Sequence, residues 1–206
     1  MSTSKTPPSL LSSFLHAWEG LLHTVVTQRN MRIHVVAALM VGLVGSGIPL
    51  GLAEKVTLIF CVLFVFFAEI LNSALEQLVD LAIQQWDEKA RLAKDAAAAG
   101  VLVLSIGTVV IFAALLSHNV ETLAVHRREI LNHVLLGVPL IVCAAMLMGK
   151  KRRPVQADLA LFLTAIALLV GTSLQSKSEV FTALTGGLLL VAGAASNKRR
   201  REKLYT

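Results

Sequence analysis

The fold is decided by residues 56–85, VTLIFCVLFVFFAEILNSALEQLVDLAIQQ, where an apolar helical pattern continues without a break into an acidic one. Residues 56–75 have the length and composition of a helix that crosses a membrane. The helical pattern continues to about residue 85, so the whole helix would measure about 45 Å. Since the bilayer core takes about two thirds of that length, we predict that the last turns project into the cytoplasmic headgroup region.

The rest of the chain also has the composition of a protein that lies in lipid. Of its 206 residues, 55% are hydrophobic and 16% are charged, and the mean hydropathy is +0.72. A soluble domain has about 25% charged residues. The net charge of +6 could suggest nucleic acid, but the basic residues lie in short clusters between apolar runs, where membrane topology accounts for them. We therefore expect no nucleic-acid partner.

Six apolar runs predict an all-α membrane protein with about six transmembrane helices. Before them, residues 10–27 alternate apolar and polar faces and are too polar to span, which predicts an amphipathic helix at the membrane surface. The alternative, a helix packed on a soluble domain, has little other soluble sequence to pack against. The six runs are residues 33–52, 56–75, 96–116, 130–148, 159–174 and 180–195.

The distribution of Lys and Arg predicts the orientation in the membrane. With the N-terminus in the cytoplasm, 15 of the 19 basic residues fall on the inner side, in agreement with the positive-inside rule. An even number of spans then places both termini in the cytoplasm.

The second apolar run carries Glu69, Asn72, Glu76 and Asp80. At 100° per residue these four side chains lie within an arc of about 80° on one helix face. Acidic residues in spanning helices are costly and usually functional. A carboxylate stripe from the apolar zone to the cytoplasm suits a lipid phosphotransferase, which must meet a lipid hydroxyl and hold Mg²⁺ on a nucleotide. A polar strip between helices and an ion pathway remain alternatives.

The third spanning segment opens with RLAKDAAAAG, residues 91–100. We predict that Lys94 and Asp95 lie near a helix N-terminus, where free amides and the helix dipole favour phosphate. Lys94 could neutralise a phosphate, and Asp95 could bind metal or cap the helix. The alternatives are a positive-inside anchor and an ordinary first-turn acid. The four alanines would let another helix approach closely.

These motifs together resemble a known family. AEILNSALEQLVDLA (68–82) followed by LAKDAAAAGVLVL (92–104) is similar to the signature of the prokaryotic diacylglycerol kinases. RNMRIH (29–34) is more similar to the undecaprenol kinase branch. The resemblance covers residues 10–116. It implies a kinase-like three-helix domain with its surface helix (10–116). The polar residues 1–9, with Pro7 and Pro8, predict a disordered tail, and the later apolar runs predict an unassigned three-helix membrane extension (117–206).

The resemblance implies an ATP-dependent lipid kinase in the bacterial inner membrane, assembled as a homotrimer. The acceptor would be undecaprenol, with diacylglycerol close behind. Glu69 would be the general base, Asn72 would position substrate or nucleotide, and Glu76 would ligate Mg²⁺. The implied nucleotide side comprises Asp80, Lys94, Asp95 and Arg32. His34, in contrast, is predicted to be an interface residue.

One position departs from the family pattern. The family commonly has a metal-binding Glu where this chain has Gln28. An amide oxygen can coordinate Mg²⁺ but adds no charge, so either the metal binds more weakly or the protein is a pseudo-kinase that binds lipid without turnover. A transporter is less favoured, because the carboxylates lie in one half only and their helix is unbroken.

Residues 117–206 lie outside the resemblance. HNVETLAVHRRE (118–129) is predicted to be an outer loop. EILN recurs at 129–132, but Leu136 and Leu140 stand where a second stripe would need acids, so a duplicated site is not expected. GKKRRP (149–154) and NKRRREK (197–203) could bind anionic headgroups or act only as topology signals. The extra helices could bind lipid, stabilise a trimer or dock a partner.

Overall fold

The computed structural model describes residues 9–151 and 153–202, and these ranges fold into helices joined by short connections. By length and composition, six of the helices can cross a membrane, so the predicted multi-pass all-α architecture is confirmed. The helices are α1 (Leu10–Thr27), α2 (Arg29–Gly47), α3 (Leu52–Ala82), α4 (Glu88–His118), α5 (Val120–Val125), α6 (Arg127–Met148), α7 (Val155–Ser173) and α8 (Glu179–Glu202).

Helix α1 has the bounds that the amphipathic pattern predicted. The Ser9 side chain caps it by accepting a hydrogen bond from the Ser12 amide at 3.2 Å, as N-cap serines do. Leu10 and Phe14 in its first turns are largely exposed, which suits a helix that rests on lipid. Apart from Ser9, the predicted tail lies outside the described residues.

Helices α3 and α4 form a long hairpin, each with 31 residues. Such a helix measures about 46 Å, so α3 is long enough to project beyond the bilayer core. It ends at Ala82, three residues before the predicted end, because Ile83 adopts an extended conformation. Helix α4 begins at Glu88, where the Asp87 side chain accepts a hydrogen bond from the Ala90 amide at 2.9 Å.

Helix α2 lies at the centre of the molecule and packs against α8 and α6 and, less extensively, against α3. Glycines allow the closest approach. A Cβ at Gly42 would lie 2.5 Å from the Thr185 hydroxyl, and one at Gly45 would lie 2.5 Å from the Phe181 ring. Helices α6 and α8 pack directly on α2, and α7 joins the same core by packing on α6 and α8.

The C-terminal end of α8 is tied to two other helices. Arg199 donates hydrogen bonds to the carbonyls of Leu147 and Met148 at 3.0 Å, where α6 ends. Lys198 forms an ion pair with Glu19 of α1 at 2.5 Å. The hydrogen bond from Lys198, and then its charge, lowers the pKa of the Glu19 carboxyl. This contact is therefore complete above the usual carboxyl pKa and is lost as the pH falls through the lowered value.

The connection between α4 and α6 differs from the predicted outer loop. It contains the six-residue helix α5, and Asn119 joins α4 to α5. The Asn119 side chain donates a hydrogen bond to Glu54 of α3 at 2.7 Å. A short helix forms here because VETLAV has no Gly or Pro to interrupt it.

Candidate active site

A cavity of about 250 Å³ lies between α2, α3 and α4, and Glu69 faces it. Ile33 and Leu102 at its edge are more than half exposed, so the cavity opens toward the surrounding lipid. The lining residues come from α2 (Asn30, Ile33, His34), α3 (Glu69, Asn72) and α4 (Ala98, Val101, Leu102, Ser105).

Glu69 occupies a position that the helix would otherwise give to an apolar residue. Val62, Val65, Glu69 and Ser73 recur every three or four residues along the buried face of α3, and Glu69 is only 1% exposed. Its Oε2 lies 3.9 Å from His34 Nε2, beyond hydrogen-bonding distance. A carboxylate buried among helices in this way is an expected marker of function.

Two polar atoms at the cavity have no hydrogen-bond partner among the described residues. They are Oε2 of Glu69 and Oγ of Ser105. Most buried polar side-chain atoms in proteins are hydrogen-bonded. A ligand hydroxyl in the cavity could donate to the carboxylate and accept from the serine, so the cavity fits the polar end of a lipid alcohol.

Toward the predicted cytoplasmic side, the structure brings Glu76 and Gln28 together. Gln28 lies between α1 and α2 in an extended conformation, and its Nε2 donates to Glu76 Oε2 at 3.3 Å. Since amide oxygen and nitrogen are assigned from the hydrogen-bond network, a flipped amide would present its oxygen at the same place. The pair then offers the oxygen ligands that Mg²⁺ prefers.

The donor set near Glu76 fits a metal that is held mainly by a nucleotide. Within residues 9–151 and 153–202, no group of three or more His, Cys, Asp or Glu side chains could hold a metal ion by itself. Mg²⁺ is usually bound by one or two carboxylates together with substrate phosphates. One carboxylate, that of Glu76, and the Gln28 amide would suit that mode of binding.

The predicted position of Lys94 at a helix N-terminus needs correction. Lys94 Nζ forms an ion pair with Asp80 Oδ1 that links α4 to α3. Helix α4 begins at Glu88, however, so Lys94 lies inside the helix and the prediction of a free N-terminus there is wrong. Asp87 rather than Asp95 caps the helix, and Asp95 pairs with Arg91 of its own helix at 2.8 Å.

Arg32, predicted on the nucleotide side, contacts the end of α1. Its Nη1 donates to the carbonyls of Val25 and Val26 at 3.2 and 2.8 Å. These carbonyls belong to the last turn of α1, which has no intrahelical partners for them. In this structure Arg32 holds the junction between the surface helix and α2.

Sequence reasoning did not identify three of the polar cavity residues as site residues. His34, expected to be an interface residue rather than a catalyst, lies 3.9 Å from Glu69, and Asn30 and Ser105 were not singled out. Ser105 did leave a signal, because Ala98, Val101, Leu102 and Ser105 follow the spacing of one helix face.

Comparison with known proteins decides the family. The model of the prokaryotic diacylglycerol kinase family matches residues 15–116. The undecaprenol kinase of Bacillus subtilis (strain 168) is 36% identical over 94 residues, which cover 46% of this chain and 76% of the relative. The chain belongs to the prokaryotic diacylglycerol kinase family. The resemblance seen in the sequence is thereby confirmed, and family and relatives indicate a lipid kinase, which is a phosphotransferase.

Two other relatives carry the diacylglycerol kinase name. The diacylglycerol kinase of Synechocystis sp. (strain ATCC 27184 / PCC 6803 / Kazusa) is 39% identical over 110 residues, covering 53% of this chain and 63% of the relative. The diacylglycerol kinase of Escherichia coli (strain K12) is 32% identical over 101 residues, covering 49% of this chain and 83% of the relative. No solved structure matches the chain significantly. The family match ends at residue 116, so it stops before α5.

Proposed function

We propose that the protein transfers the γ-phosphate of ATP to the hydroxyl of a membrane lipid. The observation that carries this proposal is the position of Glu69, whose buried carboxylate faces a cavity that opens toward lipid. Glu76 and Asp80, on the same face of α3, continue from Glu69 toward the predicted cytoplasmic side. This arrangement lets a lipid hydroxyl and a water-soluble nucleotide approach the same helix face from opposite directions.

Glu69 would act as the general base on the lipid hydroxyl, with Asn72 beside it to position the substrate. The hydroxyl gives its proton to Glu69 as its oxygen bonds to the γ-phosphorus. The bond from the γ-phosphorus to the bridging oxygen breaks, and ADP leaves with the electron pair. Phosphoryl transfer depends mainly on positioning and charge stabilisation, so a small three-helix site is sufficient.

The nucleotide would bind beyond Glu76. Glu76 and the Gln28 amide would hold Mg²⁺, which neutralises charge on the phosphates. Lys94, held by Asp80 at the end of the helical hairpin, would contact a phosphate as a positive charge, and Asp95 would lie on the same side.

We favour undecaprenol as the acceptor and keep diacylglycerol as a close second. The RNMRIH segment (29–34) supports the first, through its similarity to the undecaprenol kinase branch. The relatives carry both names, and their identities to this chain are close, at 39% and 36%.

We further propose that the enzyme is a homotrimer in the bacterial inner membrane. Helix α4 packs mainly on α3, and much of its surface is exposed, including Val103 and Val109. Its small residues at 96–99 are also largely exposed, and small residues favour close helix contacts in membranes. This face is available for a second copy of the chain.

The test is phosphate transfer from labelled ATP with Mg²⁺, using purified protein in micelles that contain undecaprenol or diacylglycerol. Phosphorylation of one lipid would support the kinase and identify its acceptor. If neither lipid reacts where a family relative is active, the protein is to be treated as a pseudo-kinase or as a membrane protein of another function. The hydrogen bond between Gln28 and Glu76 would then be the first feature to change.

A further inference from the structure

A second cavity lies outside the family-like half of the chain (residues 15–116, which match the family model), at the predicted cytoplasmic ends of α7 and α8. It measures about 410 Å³, within the roughly 300–1,000 Å³ typical of small-molecule sites. Asp158, in the first turn of α7, lies at its polar end and is 8% exposed. None of the kinase residues described above lines this cavity.

The Asp158 carboxylate has one satisfied oxygen and one free oxygen. Its Oδ2 accepts hydrogen bonds from Ser196 Oγ and from Arg200 Nη2, both at 2.5 Å. Its Oδ1 is buried and has no hydrogen-bond partner among the described residues. A buried carboxylate oxygen without a donor is costly, so a ligand that donates a hydrogen bond would be stabilised there.

The walls of the cavity suit a hydrocarbon chain. Leu159, Phe162 and Leu190 line it beyond the polar end, and Leu159 and Leu190 are more than half exposed. The groove between α7 and α8 is therefore open along its side, where the bilayer would lie. A molecule with an apolar chain and a polar head fits this combination.

The positive charge near the polar end of the cavity favours an anionic lipid headgroup. Arg200 lines the cavity, and Arg153, in the connection from α6, places a second positive charge near Asp158. Basic clusters at the cytoplasmic surface attract anionic headgroups. This positive field would repel an ammonium group on its way to Asp158, whereas it would not repel a neutral hydroxyl.

We propose that the groove binds one anionic phospholipid whose headgroup carries a free hydroxyl, a lipid of the phosphatidylglycerol type. The phosphate faces Arg200, the hydroxyl donates to Oδ1 of Asp158, and an acyl chain lies between α7 and α8. The site belongs to the C-terminal helices, so it does not depend on the kinase activity.

Native mass spectrometry of the full chain tests this with lipids that share the same acyl chains. Phosphatidylglycerol, phosphatidylmethanol and phosphatidylcholine are titrated separately. The second keeps the negative charge without the hydroxyl, and the third, a zwitterion, has neither a net charge nor a hydroxyl. We expect affinity to fall in that order, by about tenfold at the first step, the size of one hydrogen bond to a charged group, and further at the second step, where the net charge is lost. Equal binding of the first two lipids would overturn the role of Asp158.

Variants of two neighbouring arginines distinguish binding in the groove from general attraction to surface charge. Arg200→Gln should reduce the preference for phosphatidylglycerol, whereas Arg201→Gln, which removes the same charge from an exposed position outside the cavity lining, should retain it. Equal losses in the two variants would overturn the proposal in favour of diffuse attraction to the basic tail. The comparison of lipids on the unmodified chain is decisive even if Arg200→Gln folds poorly.

Discussion

At the scale of single residues, the proposed role of Glu69 as general base can be tested without changing how its side chain packs. Glu69→Gln keeps the size of the side chain and removes the base. We expect kcat for lipid phosphorylation to fall by about 10²–10⁴-fold, the usual contribution of a positioned general base, with little change in folding.

Glu121→Gln is the matched control for this substitution, since Glu121 is exposed on α5. It should retain full activity. A Glu69→Gln enzyme that works at the wild-type rate would remove Glu69 from the mechanism.

At Gln28, in contrast to Glu69, a substitution is expected to improve a property of the enzyme, its apparent affinity for Mg²⁺. Gln28→Glu would place a second carboxylate beside Glu76, where the amide nitrogen now lies 3.3 Å from Oε2. We expect Mg²⁺ to half-saturate activity at a lower concentration, because the site gains a negative charge, and we expect lower thermal stability in EDTA because the two carboxylates then repel each other.

Gln77→Glu adds the same charge on an exposed position of α3 and should change neither quantity. An unchanged Mg²⁺ dependence in Gln28→Glu would show that the metal does not bind between Gln28 and Glu76.

Helical periodicity alone was enough to place Glu69, Asn72, Glu76 and Asp80 on one face. It could not show that His34 and Ser105 would meet Glu69, because the rotation of one helix against another is set by packing between segments distant in sequence. Periodicity within α2 or α4 contains no information about that rotation.

At the scale of secondary-structure elements, the ion pair between Lys94 and Asp80 joins the two long helices where the nucleotide is proposed to bind. Lys94→Gln should raise KM for ATP by about tenfold, the loss of one charge-assisted contact with phosphate, and affect KM for the lipid much less. Steady-state kinetics with each substrate varied in turn measures the difference.

Lys89→Gln removes an exposed charge from the first turn of the same helix and should leave both KM values unchanged. If Lys94→Gln raises KM for the lipid instead, Lys94 belongs to the acceptor side of the site.

The packing of α2 on α8 gives a stability prediction. Gly45→Ala would place a Cβ 2.5 Å from the ring of Phe181, which is fully buried and has no room to move. We expect a loss of about 1–3 kcal/mol in the free energy of unfolding, as for other overpacked cores.

Gly187→Ala is the matched control on α8, because nothing lies within 4 Å of the added Cβ. Unfolding of both variants in detergent, followed by circular dichroism, compares them. Equal stability of the two would mean that α2 and α8 are not packed as described.

The ends of the helices were less predictable than their existence. Hydropathy marks where a helix becomes apolar, so it placed the start of the third spanning helix too late. The helix itself begins at Glu88, because the Asp87 side chain can cap a polar first turn. That displacement moved Lys94 from the predicted N-terminus into the helix interior.

At the scale of the whole molecule, the proposed trimer depends on the exposed face of α4. Ala99→Trp would place a large side chain among the exposed small residues of that face, so we expect light scattering in detergent to show loss of the trimer. Ala167→Trp, on an exposed position of α7, should keep the trimer mass. A wild-type protein that is monomeric in the same detergent would contradict the trimer itself.

The six spans could be predicted from apolar runs and basic clusters, but the arrangement of α6 and α8 around α2 could not. The contact between Gly45 and Phe181 joins positions far apart in sequence. From a single sequence, Gly45 can be recognised only as a small residue and Phe181 only as a large apolar one, so their contact cannot be predicted.

The glycine face of α2 also has a consequence for biosynthesis. A chain emerges from the ribosome N-terminal end first, so α2 enters the membrane long before Phe181 and Thr185 have been made. Until then, the groove at Gly42 and Gly45 lacks the side chains that fill it in the folded chain. The family-like half therefore reaches its final packing only when the last helix has been inserted, and a product that stops early leaves its central helix uncovered.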